Sequence, residues 1–198
     1  MRGTEIAQSK PLRIEDMGDD SLITRFQSGD EHAFRVLLER HCERVRNLAF
    51  SMFRSAELVD DITQDVFIKV YRALPRFRFD AAFSTWLYRI TVNHCRDIMR
   101  KRKLRRFFSL QMLLDANDEE VTMKTSVPPH EHEMKELLEA GLQRLPERYR
   151  IPVILKDMEG LSYEEMADVM QCELGTVKSR LSRGRNLLRC FLKPLMED

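Results

Sequence analysis

The chain has 198 residues, 43% of them hydrophobic, and a formal net charge of +1, a size that accommodates one medium domain or two small ones. No apolar run approaches the ~18 residues of a membrane span, and the start, with Glu5, Glu15, Asp16, Asp19 and Asp20, lacks the basic and apolar segments of a signal peptide. A cytoplasmic protein with no direct membrane insertion is expected, and the scattered Cys42, Cys95, Cys172 and Cys190, with no CxxC pair, fit reduced thiols.

Residues 1–19 are polar and aperiodic and read as a loose tail. Over 21–53 apolar residues recur at helical spacing: Leu22, Ile23 and Phe26, then, past the Gly29-Asp30 break, Phe34, Leu37, Leu38, Val45, Leu48 and Phe50. A further helix over about 56–74 buries Val59, Ile62, Val66, Phe67, Val70 and Leu74 and stops at Pro75, which cannot donate to the ladder.

Rings and cations crowd together next. Phe77, Phe79, Phe83, Trp86 and Tyr88 are followed by Arg89, Asn93, Arg96 and a run over 100–106 with six cations among seven residues. Flat rings offer stacking faces to unpaired bases while cations hold the phosphates, the chemistry of single-strand capture. The same pattern fits a helix whose rings are core and whose arginines form a solvated face. Trp86, Leu87, Ile90, Val92 and Ile98 carry this helix, and no segment shows strand alternation, so the first domain, over 20–108, is a helical bundle.

Periodicity lapses over 109–133, where DANDEE and a Pro-Pro pair mark an acidic, flexible linker. The second domain spans 134–194. Leu137, Leu138 and Leu142 form one apolar stripe; Pro146 opens the next helix, Pro152 falls inside it and Gly160 closes it. Ser162 and Glu165 have capping-box spacing. Met166 and Met170 point inward, residues 171–173 give a short turn, and Val177 and Leu181 anchor a second helix on the same core. Short helix, tight turn and longer helix make a DNA-reading helix-turn-helix. Its exposed positions, Thr176, Lys178, Ser179, Arg180, Ser182, Arg183 and Arg185, can bond base edges or phosphates; a paired-helix packing motif with a solvated basic face is the alternative. The fold class is therefore all-α, two small helical domains on a flexible tether. A near-neutral total hides two basic surfaces, since 174–193 holds cations and no acid.

His41-Cys42 and His94-Cys95 are adjacent pairs, with His130 and His132 following, but none has the spacing of a zinc motif; no metal and no cofactor is expected.

The ordered blocks SGDEHAFRVLLERH, AELVDDITQDVFIKVYRALPRF, FSTWLYRITVNHCRD, LQRLPERYRIPVIL and EGLSYEEMADVMQCELGTVKSRLSRGR resemble the extracytoplasmic-function sigma factors, the two-domain specificity subunits of bacterial RNA polymerase. The likeness covers nearly all of the chain. It implies that Asp60, Asp61, Gln64, Asp65 and Phe67 meet the clamp helices of the polymerase core. It implies that the loop residues Phe77, Arg78, Phe79, Asp80 and Phe83, with Trp86 and Arg89, melt and hold the minus-ten element, that Asn93 lines a pocket for a flipped base, and that Arg96, Arg100, Lys101 and Lys103 track phosphates. The second helix of the helix-turn-helix then reads the minus-thirty-five element. The partners implied are the RNA polymerase core, promoter DNA and an anti-sigma factor, often membrane-tethered; the chain itself would be non-catalytic. Many relatives have glycine where this chain has Phe79, which leaves the loop's backbone shape open, and Gln171 stands where many such turns carry glycine.

Two other classes compete. A stand-alone regulator would bind an operator tightly without polymerase, usually as a dimer. A nuclease would use Asp60, Asp61 and Asp65 as metal ligands, although Asp60 turns about 100° from the face that Asp61 and Asp65 share.

Overall fold

The structure is a computed structural model that describes residues 13–113 and 131–196, with side chains over 13–104, at Met134 and over 136–193. The described elements are helical and form two domains. The first holds α1 (Asp19–Gln27), α2 (Glu31–Phe53), α3 (Ala56–Ala73) and α4 (Phe83–Leu113); the second holds α5 (Glu131–Arg144), α6 (Glu147–Val153), α7 (Tyr163–Met170) and α8 (Leu174–Met196). No helix among the described residues is long and apolar enough to cross a membrane.

Local chemistry sets the boundaries. Gly29 turns the chain at φ +99°, and the Asp30 carboxylate caps α2 by accepting from His32 N at 3.0 Å. Ser55 caps α3 through Leu58 N. Pro75 sits in a single 3₁₀ turn, Leu74–Arg76, that ends the helix as its missing N–H requires. The core of this domain joins Leu22 and Ile23, Leu37 and Leu48, Ile62 and Val66, and Leu87 and Val92 from the four helices. Each such side chain contributes roughly 1.5–3 kcal/mol by leaving water.

The second core gathers Leu142, Leu145, Ile151, Ile154, Met166, Val177 and Leu181. Pro152, inside α6, removes a donor from the ladder, and the helix then widens into a π turn, Ile154–Met158, with Glu159 N on Ile154 O at 3.1 Å. Gly160, at φ +73°, ends it. Gly184 lets α8 cross α6 closely, since a Cβ there would lie 2.7 Å from Tyr149 O and 2.8 Å from Val153 Cγ2.

The two domains touch along α2 with α5 and along α4 with α7. Arg150 reaches across to Met52 O at 2.9 Å while also bonding Gln143 O and Leu145 O, and Gln143 Nε2 donates to Ser51 O at 3.0 Å. Carbonyls at the C-terminal end of α2 are satisfied in this way by the second domain. Arg54 pairs with the buried Glu139 at 3.3 Å, and Tyr88 donates to Glu159 Oε2 at 2.7 Å.

Several expectations are corrected. The tail expected over 1–19 is shorter: Ile14–Asp16 form a 3₁₀ turn, Arg40 bonds Glu15 O and Met17 O, and Asp19 opens α1 while pairing with Arg40 and His41. Residues 1–12 lie outside the described residues. The linker expected over 109–133 loses both ends to helix, because α4 continues to Leu113 and α5 begins at Glu131; 114–130, with the acidic run, lies outside the described residues. Phe50 and Leu138, expected as core, are exposed.

Candidate nucleic-acid interface

The aromatic loop between the 3₁₀ turn and α4 is pinned from α1. Gln27 Nε2 donates to Leu74 O at 3.1 Å and Phe77 O at 3.0 Å, and Phe77 N closes the turn on Leu74 O. Most of the rings are core. Phe77, Phe83 and Tyr88 are buried, and Trp86 is half-buried between Phe77 and Phe83, with centroids at 5.1 and 5.8 Å. Phe79 alone among the five is exposed, and its backbone takes the left-handed conformation at φ +60° that glycine would adopt freely. At Phe79 the loop therefore makes a turn of the kind glycine favours, with a phenylalanine in it.

A cavity of about 370 Å³ opens beside the loop, lined by Ala73, Arg76, Phe77, Arg78, Asp80, Ala81, Trp86 and Arg89. Its polar rim carries three guanidinium groups against one carboxylate. Arg76 was not singled out in the sequence, since an isolated arginine after a proline carries no pattern. Asn93 follows Arg89 by one turn of α4, is half-buried and does not line the cavity. Further along, Arg96 pairs with Glu147 of the second domain at 3.3 Å and Arg100 with Asp97 at 3.7 Å, whereas Lys101 and Lys103 are exposed.

The helix-turn-helix is built as its sequence predicts. Ser162 Oγ accepts from Glu165 N at 3.1 Å and Glu165 Oε2 accepts from Ser162 N at 2.7 Å, the reciprocal pair that starts α7. Gln171 takes φ +52° at the turn, the left-handed cap its position demands. Val177 and Leu181 are buried, so Lys178, Ser179, Ser182, Arg183 and Arg185 face solvent, with Thr176 and Arg180 half-buried. Some of these groups already have partners. Arg185 chelates the Asp157 carboxylate of the π turn, Lys178 Nζ lies 5.6 Å from the Tyr163 ring, and the Arg183 guanidinium, bonding the Tyr149 hydroxyl, holds that phenol below its ordinary range.

A third surface lies on the opposite chemistry. An apolar groove of about 920 Å³ runs between α2 and α3, lined by Phe34, Leu38, Cys42, Thr63, Phe67, Ile68 and Tyr71, with Arg46, Asp60, Gln64 and Arg72 at its edges. Of the acidic residues expected here, Asp60 pairs with Arg46, and Asp65 lies 3.3 Å from His94 Nε2. Lys69 Nζ sits 2.6 Å from His94 Nδ1; burial first, and then that ammonium, push the imidazole below its usual range. Asp61 is exposed on α3. Phe67 is buried, forming the floor rather than the rim. Ile68 and Tyr71, which sequence reading missed, are exposed apolar side chains, and their spacing from Gln64 at i+4 and i+7 is the signal that could have found them. Asp60 and Asp65 thus engage different helices, and among the described residues no three His, Cys, Asp or Glu side chains are grouped to hold a metal.

A family model described as Sigma-70 region 2 matches residues 37–105, and one described as Sigma-70, region 4 matches residues 135–188. The RNA polymerase sigma-H factor of Pseudomonas aeruginosa is 37% identical over 91% of this chain and 96% of its own length. The ECF RNA polymerase sigma-E factor of Escherichia coli is 36% identical over 92% of this chain and 98% of its own. Two solved structures share the fold. CnrH in complex with the cytosolic domain of CnrY gives a TM-score of 0.67 at 27% identity, covering 89% of this chain and 97% of that one. The sigma factor RpoE in complex with the anti-sigma factor NepR from Bartonella quintana gives 0.65 at 28%, covering 81% and 96%.

Proposed function

The chain belongs to the extracytoplasmic-function sigma factors of RNA polymerase, and on that premise we propose how its three surfaces divide the work. A sigma factor binds core polymerase, directs it to promoters and starts transcription; the bond-making chemistry is the polymerase's, and this chain acts as a non-catalytic subunit. The apolar groove of α2 and α3 receives a helix of the polymerase core, with Gln64 at its edge and Asp61, exposed elsewhere on α3, supplying the polar contacts that fix orientation. The loop cavity takes one unpaired base of the minus-ten element, with Arg76, Arg78 and Arg89 on the phosphates. The exposed face of α8 enters the major groove at the minus-thirty-five element, and Arg183, exposed on that face, contacts a base edge.

The observation that carries this reading is the pairing, in one chain, of a cation-rimmed cavity beside an aromatic loop with a capped helix-turn-helix. Each reader alone contacts a short sequence; joined, the second contact forms at high effective concentration once the first is made. Since a structurally similar sigma factor, RpoE, was captured with the anti-sigma factor NepR, an anti-sigma factor controls this chain as well, covering the polymerase groove. Such a factor anchored in a membrane would hold the chain there, and its release would send the chain to the nucleoid.

The test is transcription in vitro by purified bacterial core polymerase on a library of promoter fragments, with and without the chain, sequencing the transcript starts. Initiation at shared upstream elements only when the chain is present is the expected result. Tight, specific DNA binding by the chain alone, with no stimulation of the polymerase, would establish the stand-alone regulator instead.

A further inference from the structure

The rings that make the loop region look like a stacking platform are nearly all consumed by the core. Phe77 is 9% exposed, Phe83 2% and Tyr88 8%, whereas Phe79 is 41% exposed. Phe79 also holds a left-handed backbone, φ +60°, where a Cβ crowds the following carbonyl and glycine rests without penalty. A bulky residue in that region is an outlier, and outliers kept at a surface loop point toward function. Its ring is not loose, because it packs against Phe77 at 5.1 Å with the planes 73° apart. Its neighbours in sequence, Arg78 and Asp80, line the loop cavity, but Phe79 does not.

We propose that Phe79 is a base-stacking residue beside the cavity, taking the face of the unpaired DNA base next to the one the cavity holds. The proposal rests on the reading of this loop as the minus-ten binder. A ring needed only for packing would be buried with Phe77 and Phe83, and a position needed only for the turn would be held at lower strain by glycine. An open ring fixed from one side, among the cations Arg76, Arg78 and Arg89, is the arrangement by which single strands are held: bases stack on aromatic faces while guanidinium groups take the phosphates. Because every base has a π-face, the contact adds affinity for opened DNA with little dependence on sequence, and so favours melting over duplex binding.

The experiment assembles the full chain with core polymerase and a promoter fragment whose minus-ten segment is unpaired, with 2-aminopurine placed in turn at each unpaired position. With the parent chain, fluorescence is quenched by stacking at the position next to the captured base. Phe79→Leu, which keeps an apolar side chain and the same backbone demand, lowers affinity for this fragment about tenfold, within what one stacked base supplies, and relieves quenching at that position only. Phe79→Trp restores both. Phe79→Gly binds as weakly as Phe79→Leu while its melting temperature equals or exceeds the parent's, because the left-handed turn is relaxed. Parent-like binding and quenching by Phe79→Leu or Phe79→Gly would overturn the stacking role alone. A parent holoenzyme that quenches no position would overturn the loop's assignment with it.

Discussion

Replacing Gly184 by alanine isolates the helix crossing on which the reading helix is mounted. In an exposed helix the change is favourable by up to ~1 kcal/mol, because glycine loses more backbone freedom on folding. Here the added Cβ would lie 2.7 Å from Tyr149 O and 2.8 Å from Val153 Cγ2, where ordinary contact begins near 3.4 Å. Tyr149 O is backbone of α6, and Val153 is 3% exposed and cannot swing away. The helices must therefore part by several tenths of an ångström, opening the layer of Ile151 and Leu181 beneath them. Overpacking costs about 1–3 kcal/mol, and against a backbone oxygen and a pinned valine the upper part of that range, about 2–3 kcal/mol, applies, so that a net loss of about 1–2 kcal/mol remains after the propensity gain. For a domain of this size that lowers the melting temperature by about 5–15 °C. Thermal unfolding of the full chain followed by circular dichroism measures it, with Gly175→Ala as control: no atom lies within 4 Å of a Cβ there, so that variant melts at or slightly above the parent. A Gly184→Ala protein as stable as the parent would refute the close-crossing argument.

Asp61→Arg reverses an exposed charge on the proposed polymerase surface and should weaken binding to core polymerase at least several-fold, measured by fluorescence anisotropy; unchanged affinity removes that face of α3 from the interface. Glu159 is held above the ordinary carboxylate range, by burial first, and Tyr88 is raised as well. Between the unfolded and folded pKa of Glu159 the folded chain binds the extra proton, so this group's contribution is fully present below the unfolded value and is lost as pH rises through the folded one. Glu159→Gln keeps an acceptor for the Tyr88 hydroxyl and should flatten that fall, seen in melts across the acid-to-neutral range; an unaltered pH profile would acquit Glu159. Burial pushes the Cys95 thiol up to about 12, so at neutral pH it should resist a thiol reagent that labels the exposed Cys190 promptly; rapid modification of Cys95 in the native chain would reopen a redox role.

What could be read from sequence was what is encoded over a few residues. The Ser162-Glu165 box, the buried positions of α3, and the turn at Gln171 all depend on neighbours within one or two helical turns, and periodicity reports those directly. The fate of the aromatic rings could not be read that way. Phe77 and Phe79 are the same residue type two positions apart, yet one is core and the other open, and the choice was made by Gln27, which pins the loop from some fifty residues away. Gly184 is equally silent, since its meaning depends on a carbonyl of α6. The domain contact rests on Arg150, Arg54 and Glu139, whose partners lie in the other domain and so leave no periodic signal in the sequence.

That contact bears on the proposed DNA surfaces through one ion pair. Arg96 faces Glu147 of the other domain, and within the second domain Arg185 faces Asp157, so two cations proposed to contact DNA are already partly neutralised within the chain. Both pairs are part-exposed and worth only about 0–1 kcal/mol each, so they oppose DNA weakly. Exchanging a carboxylate for a phosphate also releases counterions from the duplex, a gain that shrinks as salt rises. Low salt therefore favours the exchange and high salt removes its advantage. Lys101 and Lys103, exposed on α4, have no ion pair with a carboxylate among the described residues. The downstream contacts of α4 should on this reasoning form before those of Arg96.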